Sequence, residues 1–152
     1  MATSFGTLDE FRAASGTHLG AGPWMAVDQE RIQSFADVTE DWQWIHVDVD
    51  RAARSDMGST IAHGYLTLSL LPRLSSGIFE FTGAGKVLNY GLDRVRFLNP
   101  VRAGDRIRAH AELVEVTDSG DGALGRVRYT LEIDGRVRPA CVVEALMLAL
   151  PA

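Results

Sequence analysis

Cysteine is almost missing from this chain: Cys141 stands alone among 152 residues. One cysteine excludes an intrachain disulfide and any cysteine-cluster metal site. It sits in the apolar run Ala140-Cys141-Val142-Val143, which makes it buried filler rather than a reactive thiol. A dense basic block is missing too. Lys and Arg number 15 against 20 Asp and Glu, for a formal net charge of −5. That balance argues against a surface built to neutralise nucleic-acid phosphates. Nothing approaches the roughly 20 consecutive apolar residues of a membrane span. The opening Met1-Ala2-Thr3-Ser4-Phe5-Gly6 lacks the basic and apolar segments of a secretory signal, so a cytoplasmic protein is expected. Low-complexity tracts and internal repeats are lacking as well, which leaves no reason to expect disorder away from the termini.

What is present is an ordinary globular composition, 46% hydrophobic and 23% charged. At this length folding buries about 70% of the unfolded chain's surface, and a single domain over residues 1–152 is expected. Leu8 and Phe11 predict a short helix near residues 7–14, ended by Gly16. Asp28 can cap a second helix that starts at Gln29. In it Ile32, Phe35, Ala36 and Thr39 recur at helical spacing, and the helix delivers the chain to Glu40-Asp41. After a turn or short helix near 48–54, residues 64–79 read as one buried helix, apolar nearly all round, kinked or loosened at Pro72. The period then falls to two. Ile107, Ala109, Ala111 and Leu113 alternate with Arg106, Arg108, His110 and Glu112. Val127, Tyr129, Leu131 and Ile133 alternate with Arg126, Arg128, Thr130 and Glu132. A loop at Asp118–Gly122 separates these strands, and Asp134-Gly135 predicts a tight turn into a last strand from Val137 to Leu150. Further strands are expected near Lys86–Phe97 and Trp24–Val27. The class is α+β, an antiparallel sheet around a buried helix.

Chemistry concentrates in Thr39-Glu40-Asp41-Trp42-Gln43-Trp44-Ile45-His46-Val47-Asp48 and, after a gap, Ile61-Ala62-His63-Gly64. Five helical steps rotate a side chain by about 140°, and five strand steps put it on the opposite face. Asp41 and His46 can therefore meet only if the chain turns between them. Each residue alone has a bland reading: Asp41 as a turn residue, His46 as a surface histidine, His63-Gly64 as a helix entry. Trp42 and Trp44 read as packing residues, and His18 and His110 as surface ones.

The spacing Phe35-x3-Thr39-Glu40-Asp41-x-Gln43-x2-His46-x-Asp48, followed by Ile61-Ala62-His63-Gly64, resembles the hydratase-2 signature of the MaoC-like (R)-specific enoyl-CoA hydratases, closest to their single-domain, nodulation protein N-like branch. Val95-Arg96-Phe97-x2-Pro100-Val101-x2-Gly104-Asp105 is similar to the strand that follows the helix in that family. The resemblance implies a hotdog fold, a helix wrapped by an antiparallel sheet, usually paired as a homodimer with acyl-CoA near the interface. It implies Asp41 and His46 as the catalytic pair, Gln43 as a substrate contact and Gly64 as the donor to the thioester oxygen. Gln43 stands where the family usually has asparagine, and Trp44 replaces the usual proline. These departures bear on substrate positioning and leave the acid/base pair intact.

The same residues meet the needs of the reaction on chemical grounds. Adding water across a 2-enoyl thioester takes a base, an acid for Cα and a donor for the developing enolate oxygen. Asp41, His46 and the Gly64 N–H supply these, and the residues leave open which of Asp41 and His46 deprotonates the water. The expected partners are an acyl-CoA thioester and a second copy of the chain, with no cofactor, nucleic acid or membrane. A hotdog thioesterase and a non-catalytic acyl-binding subunit are the competing readings. His63 is expected to orient or pack, and a metal site at Asp41, His46 and His63 is disfavoured. Asn89-Tyr90-Gly91 suggests a bulge or a close approach of ligand to the backbone. Arg94, Arg96, Arg102, Arg106 and Arg108 are candidates for the coenzyme phosphates, none preferred.

Overall fold

The computed structural model describes residues 2–152. In chain order the elements are β1 (Thr3–Phe5), α1 (Leu8–Ala13), β2 (Thr17–Ala21), β3 (Met25–Ala26), α2 (Gln29–Thr39), α3 (Trp44–Val47), α4 (Val49–Arg54), α5 (Gly64–Ser69), α6 (Leu71–Leu74), β4 (Phe79–Phe81), β5 (Lys86–Phe97), β6 (Arg106–Ser119), β7 (Gly122–Ile133) and β8 (Cys141–Leu150). The main sheet runs β2-β6-β7-β8-β5, with β3 also on β6, and every pairing in it is antiparallel. Its alternation sorts the side chains by face. Ile107, Ala109, Ala111, Leu113, Val127, Leu131 and Ile133 are buried against Leu66, Leu70, Leu71 and Leu74 of α5 and α6 in one core. This is the α+β hotdog arrangement: the sheet wraps a helical segment. No helix among the described residues is long and apolar enough to cross a membrane.

The opposite face of the sheet is a ladder of ion pairs, among them Arg108–Glu132, Arg128–Glu112 and Arg128–Glu144. On an exposed face such pairs are worth little in stability, on the order of 0–1 kcal/mol each. Their consequence is to occupy most of the strand arginines.

Three expectations are corrected, and one pairing was not anticipated. Residues 64–79 do not form one kinked helix: α5 ends at Ser69, α6 runs only from Leu71 to Leu74, and the chain then turns into β4. Pro72 lacks an N–H and its ring conflicts with the carbonyl four residues back, so it is tolerated only where a new helix begins. The last strand starts at Cys141, not Val137, which is fully exposed. Gly135 does turn the chain at φ +74°, but Pro139 cannot donate to a ladder, and pairing resumes with the Ala140 N–H on the Leu131 carbonyl at 2.8 Å. The Asp118–Gly122 loop is shorter than expected, since Asp118 and Ser119 pair with Ala123 and Gly122 around a two-residue turn at Gly120-Asp121. Finally, β1 and β4 pair in parallel across residues 3–5 and 79–81, which seats Phe5 against Phe11, Phe79 and Phe81. Three-residue strands so distant in sequence leave no periodic signature.

Candidate active site

The site begins at the end of α2. Asp28 caps the helix, its carboxylate accepting the Arg31 N–H at 2.9 Å. After the eleven residues of α2, Glu40 takes a left-handed conformation, φ 60° and ψ 24°. The Asp41 N–H then returns to the Ala36 carbonyl at 3.1 Å, a six-to-one closure that ends a helix and reverses the chain. That reversal is the turn needed between Asp41 and His46. It continues into α3, a four-residue helix that swings His46 back toward α2, and the pair does converge.

Two hydrogen bonds hold His46, and a third supports one of them. Its ring Nδ1 lies 2.7 Å from the Ile61 carbonyl, so Nδ1–H is the donor and Nε2 is left as the free lone pair of the neutral ring. Gln29 Nε2 donates to the His46 carbonyl at 2.8 Å, and the Thr60 hydroxyl donates to Gln29 Oε1. Gln29 and Thr60 were not foreseen. In the sequence Gln29 reads only as the first residue of a helix, and nothing marks its partner 31 positions away. Burial pushes the His46 pKa down, opposed by the hydrogen bond to Ile61; the neighbouring His63 lowers it further and Asp41 raises it.

Asp41 is half exposed and His46 buried. One carboxylate oxygen of Asp41 and one ring nitrogen of each of His46 and His63 lie within 4.8 Å of one another. His63 is 2% exposed, and its ring stacks on His46 with centroids 3.7 Å apart and planes 22° from parallel. A metal ion would need the lone pairs of both rings, in plane, at about 2.0–2.1 Å. Rings stacked face to face do not aim those lone pairs at one point, so the cluster suits proton chemistry better than ligation.

Gly64 opens α5, and its N–H is among the first-turn donors that have no acceptor inside the helix. It lines a cavity of about 390 Å³ together with His46, Ile61, Thr67 and Phe97. A larger cleft, about 640 Å³, lies between α5, α6 and the strands β5 and β8, lined by Leu68, Leu71, Phe79, Tyr90, Tyr129 and Met147. Size does not locate the chemistry here, because His46 and Gly64 belong to the smaller cavity. Asp41 and Gln43 line neither. Gln43 is exposed at the start of α3 with no side-chain cap bond. Trp42 Nε1 donates to Asp37 at 2.8 Å, and Arg51 stacks on Trp44 at 4.2 Å, so both tryptophans brace the surrounding helices.

The bulge expected at Asn89-Tyr90-Gly91 is present as a register shift against β8, and this stretch lines the larger cleft. Cys141 is buried, and burial pushes its thiol up to about 11. His18 and His110 are exposed. Of the five candidate arginines, Arg106 and Arg108 are taken by Asp134 and Glu132 and lie over Trp24. Arg94, Arg96 and Arg102 stay outside the ion pairs of the described residues.

Residues 10–133 match the family model described as MaoC like domain. The chain belongs to the MaoC-like family. Over 145 residues it is 44% identical to 3-hydroxyacyl-thioester dehydratase Z of Mycobacterium tuberculosis, covering 95% of this chain and 96% of that protein. It is 47% identical over 137 residues to nodulation protein N of Rhizobium leguminosarum bv. viciae, covering 88% and 85%. The R-hydratase PhaJ1 of Pseudomonas aeruginosa shares the fold, with a TM-score of 0.70 at 22% identity over 91% of this MaoC-like chain and 83% of that one. In the MaoC-like frame, the Asp41–His46 turn and the Gly64 helix entry are the parts of the motif that the fold brings to one place.

Proposed function

We propose that this chain, a hydro-lyase of the MaoC-like family, adds water reversibly to trans-2-enoyl-CoA to give (R)-3-hydroxyacyl-CoA. The observation that carries the reading is the convergence of the Asp41 carboxylate and the His46 ring, with ligand-capable atoms within 4.8 Å, while His46 shares a cavity with the Gly64 N–H. That spacing lets one water accept and donate between both groups. His46 Nε2, without a hydrogen-bond partner among the described residues, takes a proton as the water oxygen bonds to the β-carbon. The double-bond electrons move to the thioester, whose oxygen gains negative charge at the Gly64 N–H. A proton then returns to the α-carbon, from the same pair and to the same face, completing syn addition with atoms balanced. No redox or group-carrier step arises, so no cofactor is needed. The similarity to a relative named 3-hydroxyacyl-thioester dehydratase supports the same chemistry in the reverse direction.

A thioesterase and a non-catalytic acyl-binding module are the outcomes to be set against this reading. Short and medium trans-2-enoyl-CoAs, followed at once for loss of enoyl absorbance and for free thiol, separate the three. Absorbance loss at constant thiol is the expected result. Thiol release would select hydrolysis, and binding without either change would select the module.

β5 supports a homodimer as the assembly. This strand closes one edge of the sheet, paired on its inner side only with β8 among the described residues, and Val87, Leu88, Tyr90, Leu92 and Phe97 on it are all exposed. A long apolar edge of this kind invites pairing. A second copy pairing there in two-fold fashion would cover the apolar side chains on both subunits at once. Light scattering at micromolar concentration should give a dimer mass, and Leu88→Lys should shift it toward monomer. A monomeric wild type would count against the interface.

A further inference from the structure

His63 has no part in the proton transfers above, yet it is the most enclosed titratable group near them. It lies at the entry to α5, with Phe35 of α2 at 5.0 Å from its ring and His46 of α3 stacked at 3.7 Å. Its Nε2 is 3.0 Å from the Asp41 carbonyl oxygen and 4.0 Å from the Asp41 carboxylate. Because a carbonyl can only accept, Nε2 must carry the proton. Its Nδ1 is buried without any partner among the described residues. As filler this would be a poor choice, since phenylalanine would occupy the same space beside Phe35 without burying an unpaired nitrogen. The imidazole is explained by what its other edge and its face do.

We propose that His63 is a positioning residue: its Nε2–H pins the main chain at Asp41 while its ring face fixes the plane of His46, so that carboxylate and imidazole keep their mutual geometry during turnover. Asp41 needs such a pin, because it follows the left-handed Glu40 in an exposed turn and its half-exposed carboxylate accepts no hydrogen bond among the described residues. His46 needs the face, because its hydrogen bond to Ile61 holds only one edge of the ring, and a tilt of the ring plane would carry Nε2 away from Asp41. The inference rests on the reading of Asp41 and His46 as the working pair. The groups that act on His46 across space are His63 from the α5 entry and Asp41 from the turn after α2; Gln29 of α2 and the Ile61 carbonyl are neutral.

Two substitutions divide the roles. His63→Phe keeps a ring face and loses the donor, whereas His63→Gln keeps a donor for the Asp41 carbonyl and loses the ring. Each is expected to fold as a dimer and to lose on the order of tenfold to hundredfold in kcat, with KM changed far less, as for a small misplacement of reacting groups. A readout independent of turnover is the titration of His46 by NMR. Burial is the main cause of the lowered His46 pKa and His63, stacked on its face, lowers it further, so His63→Gln should move its midpoint upward, and the acidic limb of kcat/KM should move the same way. An unchanged His46 midpoint in folded His63→Gln would overturn the proposal even if hydratase activity were lost. Failure of the hydration reading would show instead as a wild type without enoyl-CoA turnover, and the midpoint would still decide the role of His63. Should neither variant fold, ¹⁵N shifts of the wild-type protein still decide: the Nε2–H tautomer of His63 is expected, and the Nδ1–H tautomer would overturn it.

Discussion

Asparagine in place of Asp41 should lower kcat by roughly 10²-fold or more, with little change in melting temperature. The asymmetry follows from the position. The carboxylate is half exposed, and the bonds that shape the turn run through the Asp41 main chain: its N–H to Ala36 and its carbonyl to His63. Neither involves the carboxylate, so an amide of the same size leaves the turn standing and removes only the ionisable half of Asp41 from the Asp41–His46 pair. His46→Gln should cost a similar factor in kcat but more in stability, because the ring is buried, stacked on His63 and bonded to Ile61. Loss of that bond should cost about 1–3 kcal/mol unless the glutamine amide replaces it. If both groups act on one water, the double variant should be scarcely slower than the worse single one, since groups acting as a unit are not additive. Steady-state kinetics beside thermal unfolding of the three variants checks each part.

The second large effect is expected at Gly64. Valine there should reduce kcat by about 10²–10³, the scale of losing one oxyanion donor. A Cβ on Gly64 would lie 3.0 Å from two ring carbons of Phe97, tighter than ordinary packing allows. The contact is with the edge of a side-chain ring and not with backbone, so a small shift of Phe97 accommodates the new methyl groups and the protein should fold. The space taken is then the approach to the N–H, where the thioester oxygen must sit. Combining Gly64→Val with Phe97→Ala should relieve the crowding and recover stability without recovering turnover. Recovery of turnover in the double variant would mean that Gly64 matters for packing and not for the oxygen.

How much of this could be read in the sequence depended on how local the causes are. Asp28, the α2 periodicity and the Asp41–His46 interval act within a few residues, and α2, its cap and the turn all stand as read. The strand pairs β6 and β7 announce themselves by alternation, and the burial of Ile107 to Leu113 and Val127 to Ile133 follows it. Pro72 and Pro139 were visible, but their weight was not: each stops an element where apolar content alone would have carried it on. The parts that escaped are long-range. The Gln29–Thr60 bond that supports His46 spans 31 positions, and the β1–β4 pair spans most of the first half of the chain. His63 lay in plain view as the residue before Gly64. Its stack on His46 depends on the mutual placing of α3 and α5, which no spacing along the chain encodes.

The central claim is that Asp41, His46 and Gly64 direct one water to one face of an enoyl thioester. Chiral analysis of the product formed by the wild-type protein from a trans-2-enoyl-CoA tests it most directly. The expected product is the (R)-3-hydroxyacyl thioester, formed at constant free thiol and lost together with activity in Asp41→Asn. An (S) or racemic product, or full hydratase activity in a folded Asp41→Asn protein, would contradict it.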